Sequence, residues 1–379
     1  MIYLDAAACV KPYPEVTAII TDILTNYWGN ASSNNSFGDC SRVIVENVRS
    51  QIAEDINCQP EEIIFTSCGS ESNSLAIVGF LGAHDGYDLY TTCLEHASIN
   101  ALVDNLPKGV SHVKIPNNTQ GIVTKEELSK CIMHHQRYFN SRPLVSITGG
   151  NSEIGAIQDI KSLAQEVHEY GGVIHCDAVQ LFSEKQIDVK ELGIDMMSVS
   201  AQKWHGPKGI GFLYVRGGTK LNPIVYGSQN ADLRGGTYPT CLIAGMGEAL
   251  KIMRKHNASE EICVLRNRLA EKLLQIPDTH LNGPQFGPQR LSNNISLTID
   301  NVDAEKLMTL CDLSGVILAR GSACKAHSPE PSPTLLALGL TAEQALSTIR
   351  ISLDEFNTIE EIDTAAQIIT KLVARIRHD

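Results

Sequence analysis

The chain of 379 residues has no uninterrupted apolar run of the roughly 18 residues that a membrane-spanning helix needs. Its opening, "MIYLDAAACVKPYPEV", has an aspartate at position 5 and no apolar core of signal-peptide length, so a cytoplasmic protein without membrane attachment is expected. Dense Lys/Arg runs are also missing, and a formal net charge of -12 offers no basic face to a phosphate backbone. Direct nucleic-acid binding is therefore not expected. Eleven cysteines are scattered without a CxxC pair, which excludes a disulfide framework, a structural zinc site and a resident iron-sulfur cluster. Aromatic residues are few, at 5%, but a hydrophobic share of 43% is ordinary for a globular chain, and this length leaves room for two domains.

What is present is an alternation. Between about residues 60 and 215, short β-rich runs ("EIIFTS", "YDLYTT", "SHVKIP", "PLVSIT", "GGVIHCD", "IDMMSVS", "GFLYV") alternate with helix-like segments such as "SESNSLAIVGFLGAH" and "DIKSLAQEVHEY". This pattern predicts an α/β fold with a large, mostly parallel sheet. From about residue 240 it gives way to a long helical stretch, then to the strands "NNISLTI" and "GVILAR" and a C-terminal helix. The expected organisation is an N-terminal segment, 1–15, packing with the small domain; a large α/β domain, 16–240; and a smaller α+β domain, 241–379.

Several polar residues fall where strands end, the usual ligand side of an open α/β sheet. In "SVSAQKWHGPKGIGFLYVR", Lys203 sits between two apolar runs, where a lysine either snorkels to solvent or is kept for chemistry. "FTSCGSES" places Gly69 and Ser70 at a strand-to-helix junction, which suits a phosphate as well as an ordinary cap. Asp177 in "HCDAVQ" needs a cation or donors opposite it, and His96 in "LEHAS" follows another strand. Together these residues suit an aromatic, phosphorylated, cationic ring with a carbonyl for the lysine, a description that pyridoxal phosphate meets. Cys324, in "ARGSACKAHSPEPSP", reads as an exposed loop thiol in a positive local field, whereas Cys58, Cys93, Cys131, Cys241, Cys263 and Cys311 read as structural thiols among apolar or helical residues.

These stretches resemble the cysteine desulfurases, pyridoxal-phosphate enzymes of the class-V aminotransferase group with fold-type I architecture. "MIYLDAAACVKP", "GNASSNNSFG", "IIFTSCGSESNSLAI", "NSEIGAIQDI", "HCDAVQ", "SAQKWHGPKGIGFLYVR", "RGGT", "GSAC", "EPSPTLLALGL" and "IRISL" follow in that family's order over nearly the whole chain. The resemblance implies that Lys203 forms a Schiff base with the cofactor, Asp177 pairs with its ring nitrogen and His96 stacks on its ring. It further implies that Gln180 contacts the ring hydroxyl, that Gly69, Ser70 and Ser200 hold the phosphate, and that Thr237 reaches the phosphate of a neighbouring subunit in a homodimer. Arg350 would bind the carboxylate of L-cysteine, with Asn34 assisting. Cys324 would take the substrate sulfur as a persulfide and hand it to an acceptor protein.

Departures concentrate around the cofactor. Gln202 stands where the family usually has a histidine, Ser152 replaces an asparagine near the ring hydroxyl, and Asn35 replaces another histidine. Arg320 precedes the cysteine loop in place of a serine, and Lys325 and His327 follow the cysteine. The expectation is retained desulfurase chemistry with weaker cofactor retention or a specialised acceptor, in iron-sulfur cluster assembly or nucleic-acid thio-modification. Selenocysteine lyase or another pyridoxal-phosphate lyase or aminotransferase, and a degenerate homologue acting as a scaffold, are the alternatives. Cys324 counts against plain transamination, and the pair Lys203 and Asp177 against the scaffold.

Overall fold

The structure is a computed structural model that describes residues 1–321 and 330–378. After a short first strand, β1 (Ile2–Tyr3), the central sheet is built from β2 (Ile63–Thr66), β3 (Tyr87–Thr91), β4 (His112–Lys114), β5 (Arg142–Thr148), β6 (Val173–Asp177), β7 (Met196–Ser200) and β8 (Gly211–Val215), in the order β2-β8-β7-β6-β5-β3-β4. Strands β3 to β7 run parallel to one another, and β8 runs antiparallel to both β7 and β2. The α/β sheet architecture is thus as expected.

Helices cover both faces, which is why β2, β7 and β8 are buried at every residue instead of alternating. Adjacent residues feed opposite cores: Phe65, Met197 and Phe212 face one, Ile64, Met196 and Leu213 the other. One polar group crosses the middle of the sheet. The ring of His175 lies between Ser146 Oγ at 2.9 Å and Ser198 Oγ at 2.8 Å, and burial pushes its pKa down to about 3, so it stays neutral.

A second unit contains the antiparallel strands β9 (Thr279–Leu281), β10 (Asn294–Ile299) and β12 (Thr348–Ser352), with β10 central, while β11 (Val316–Ile317) pairs in parallel with β1. The helices Ser259–Leu273, Ala304–Leu313 and Ile359–His378 contribute Leu269, Leu307 and Ile369 to its core.

Two details differ from the sequence expectation. The helix Thr240–His256 buries Ile243, Met246, Leu250 and Met253 in the core of the large sheet, together with Val48 and Ile52, so the chain passes to the second unit only after Asn257, a left-handed residue at φ 47°. An apolar stripe tells that a helix is covered but not by what. The N-terminal segment also belongs to both units. Ile2 and Leu4 enter the second core, whereas Tyr13 and Val16 enter the first, and the Val10 N–H donates to Gln202 O at 3.2 Å. Among the described residues no helix is long and apolar enough to cross a membrane.

Leu4 is fully buried, and truncating such a side chain typically costs about 2–5 kcal/mol. Leu4→Ala is expected to lower the urea unfolding midpoint accordingly, and a change below about 0.5 kcal/mol would show that the segment is not anchored there.

Candidate active site

The carboxyl ends of β5, β6 and β7 open into a cavity of about 330 Å³ that the second unit closes from the other side. Lys203 lies in a single turn, Ala201–Lys203, directly after β7. Its Nζ donates to Ala7 O at 2.8 Å and Ala8 O at 2.6 Å, and Gln180 Nε2 donates to the same Ala7 O at 2.9 Å. The N-terminal segment therefore folds over the lysine.

Asp177 ends β6 and is 4% exposed. Its Oδ2 accepts from Asn73 Nδ2 at 2.9 Å and its Oδ1 from the Val179 N–H at 3.1 Å. Both donors are neutral, so the carboxylate can still take a cationic partner. His96 caps the helix Ala97–Val103, and its Nδ1 accepts from the Ser98 N–H at 3.1 Å, which fixes the ring at the cavity wall. Gly69 opens a helical run that begins with Gly69–Ser74. A Cβ there would lie 2.7 Å from Val179 Cγ2, so only glycine lets this turn approach so closely. Ser70, Ser152, Ser200 and Gln202 also line the cavity.

From the second unit comes Arg350, on β12 and 1% exposed. Its Nη2 pairs with Asp5 Oδ1 at 2.6 Å, and its buried Nε has no hydrogen-bond partner among the described residues. A guanidinium with unused donors facing a cavity is suited to a carboxylate. Lys203, Asp177, His96 and Arg350 are thus brought together from both units. Thr237 and Asn34 are exposed and do not line this cavity, and Cys324 lies outside the described residues.

Other lining residues were not anticipated. Cys93, expected to be a structural thiol, lines the cavity with Cys68; of the other five thiols expected to be structural, Cys311 is fully buried, and Cys58, Cys131, Cys241 and Cys263 are partly exposed. Glu95, next to His96, is the larger omission. It is buried, 5% exposed, with Oε1 accepting from Thr92 Oγ1 at 2.6 Å and Oε2 lacking a partner among the described residues. Burial above all, with the nearby Asp177 charge adding to it and the Thr92 hydrogen bonds opposing it, pushes its pKa from 4.5 up to about 8. The only sequence signal was its place before a histidine at a strand end. Asn35 has a plain local role, its Oδ1 accepting from the Gly38 N–H at 3.0 Å as the cap of the helix Ser36–Asp55.

With this geometry in view, comparison with known proteins is specific. The class-V aminotransferase family model matches residues 2–364. The cysteine desulfurase IscS of Dictyoglomus turgidum is 36% identical over 99% of this chain and 95% of its own length. A solved NifS-like protein superposes with a TM-score of 0.90 at 27% identity, covering 99% of both chains. A structure of SspA in complex with cysteine gives 0.81 at 29% identity, over 94% of this chain and all of that one. The chain belongs to the class-V aminotransferase family, in its cysteine desulfurase branch.

Glu95 supplies a pH prediction. Between about pH 4.5 and 8 the folded state keeps a proton that the unfolded chain has released, so Glu95 removes stability progressively as pH rises through that window. In Glu95→Gln this loss is expected to disappear, and the gap in urea midpoint between variant and parent should widen from pH 5 to pH 8. A constant gap would mean that the carboxyl is ionised throughout.

Proposed function

We propose that the protein is a pyridoxal-phosphate-dependent cysteine desulfurase, which converts L-cysteine to L-alanine and takes the sulfur onto Cys324 before passing it to an acceptor protein. The observation that carries this reading is the meeting of Lys203 and Asp177 from one unit with Arg350 from the other in a single cavity. The residues fit the cofactor. Asp177, with only neutral donors, would hold the cationic ring nitrogen; His96 would stack on the ring; Gln180 and Ser152 would face its hydroxyl; and Gly69, Ser70, Ser200 and Gln202 would hold its phosphate. When bound, the cofactor supplies an aldehyde for amines and a sink for electrons.

The chain's own groups do the rest. Arg350, oriented by Asp5, takes the substrate carboxylate and turns the Cα–H bond toward Lys203, whose Nζ removes the Cα proton. The Cys324 thiolate attacks the substrate sulfur. An S–S bond forms, the Cβ–S bond breaks, and the electron pair left on the carbon skeleton is protonated to give alanine. The sulfur is thereby oxidised and the carbon reduced within one exchange, so no external oxidant is required. Thr237, turned outward in its own chain, serves the phosphate site of a second subunit in a homodimer. The enzyme acts in the cytoplasm, and its acceptor belongs to iron-sulfur cluster assembly or nucleic-acid thio-modification.

Three variants separate the roles. Lys203→Ala should lose the visible absorbance of the lysine-linked cofactor together with alanine formation, and a persisting lysine-linked band would remove Lys203 from the mechanism. Cys324→Ser should keep that absorbance and form no alanine, sulfide or persulfide; full turnover would exclude the persulfide route. Arg350→Ala should raise KM for L-cysteine by about 10- to 100-fold, the loss of a charge-assisted hydrogen-bonded contact, and an unchanged KM would move the carboxylate site elsewhere.

A further inference from the structure

Asn73 lines the cavity and is 1% exposed, and it does more there than donate to Asp177. It lies on the helical run Gly69–Ser74, between the end of β6 and the helix Ala97–Val103. Its Nδ2 donates to Asp177 Oδ2 at 2.9 Å and to Ser98 Oγ at 3.1 Å, so both hydrogens of the amide are used and its plane is fixed. The other end of the amide is left over. Asn73 Oδ1 is buried and has no hydrogen-bond partner among the described residues. Turning the amide over would set that oxygen against the Asp177 carboxylate, so Asp177 decides which way it faces.

The polarity of the next bonds follows from one backbone group. The Ser98 N–H donates to His96 Nδ1 at 3.1 Å, which makes that nitrogen an acceptor. Ser98 Oγ lies 2.8 Å from the same nitrogen and therefore donates to it as well. With its only hydrogen spent, the hydroxyl can take nothing but a donor from Asn73. The bonds thus run one way, from Asn73 through Ser98 to His96, while the second hydrogen of the same amide goes to Asp177. In the neutral ring this places the proton of His96 on Nε2.

We infer that Asn73 is a positioning residue for the cofactor, its amide setting the Asp177 carboxylate and, through Ser98, the His96 ring relative to each other. Asp177 would meet the cofactor ring at its nitrogen and His96 at its face, so the ring is held best when the two stand at one fixed separation. A single amide bonded toward both supplies that separation before anything binds, which lowers the ordering cost of binding. Losing either of its bonds frees the same amide and loosens both contacts together. This role rests on the reading of the cavity as a pyridoxal-phosphate site.

The test is a double-mutant cycle on the full chain with Asn73→Ala, Ser98→Ala and both together, reading the Kd of pyridoxal phosphate by equilibrium dialysis and, at saturating cofactor, KM and kcat for alanine formation. Asn73→Ala should raise the Kd about 10- to 100-fold, the loss of a hydrogen bond to a charged group, and Ser98→Ala about 3- to 10-fold, the loss of a neutral one. The double variant should fall short of the product of the two effects by at least about threefold, because each change releases the same amide. KM for L-cysteine should stay within about threefold, since Arg350 takes no part in these bonds. If Asn73→Ala does not fold, Asn73→Ser takes its place in the cycle. Effects on the Kd that multiply, an unchanged Kd in either single variant, or a change confined to KM overturns the role. A parent protein that binds no pyridoxal phosphate would instead overturn the cofactor reading itself.

Discussion

A lysine and an arginine beside one cavity both need hydrogen-bond acceptors, and residues 5 to 8 supply them. Asp5 pairs with Arg350, and the carbonyls of Ala7 and Ala8 accept from Lys203. The two cations come from different units, so this short piece of chain ties one to the other. It is held in turn by Leu4 in one core and Tyr13 in the other, with the Ala7 N–H donating to Ser352 Oγ at 2.9 Å. Placement of the catalytic candidates thus depends on apolar burial at two points outside the cavity.

Two carboxylates near His96 show how environment divides like groups. Asp177 receives two neutral donors and keeps a face toward the cavity. Glu95, one residue from His96, has a single side-chain donor and is buried, which makes the protonated acid its favoured form near neutral pH. The cavity consequently carries less negative charge than its composition suggests.

The strands and the residues at their ends were legible in the sequence because both have local causes. Buried parallel strands read as continuous apolar runs, and Asp177 and Lys203 stand out as charges that such runs would otherwise exclude. The assignment of the helix Thr240–His256 to a core was not legible, since its stripe is the same whichever surface covers it. Glu95 and Glu153 escaped for a related reason. Each sits beside a more conspicuous neighbour, and only the tertiary structure reveals that both are buried at the cavity, Glu95 5% and Glu153 4% exposed. Asn35 is the opposite case. It looked like a loss at a ligand-facing position, and it serves as an ordinary helix cap.

The ion pair between Asp5 and Arg350 joins residues 345 positions apart, and β1 pairs with β11 across a similar span. Contacts so distant in sequence close long loops and so carry a loop-closure entropy cost that the rest of the fold must offset. The complete cavity requires β12 and the N-terminal segment together, so the lysine's final setting is coupled to correct formation of the second unit.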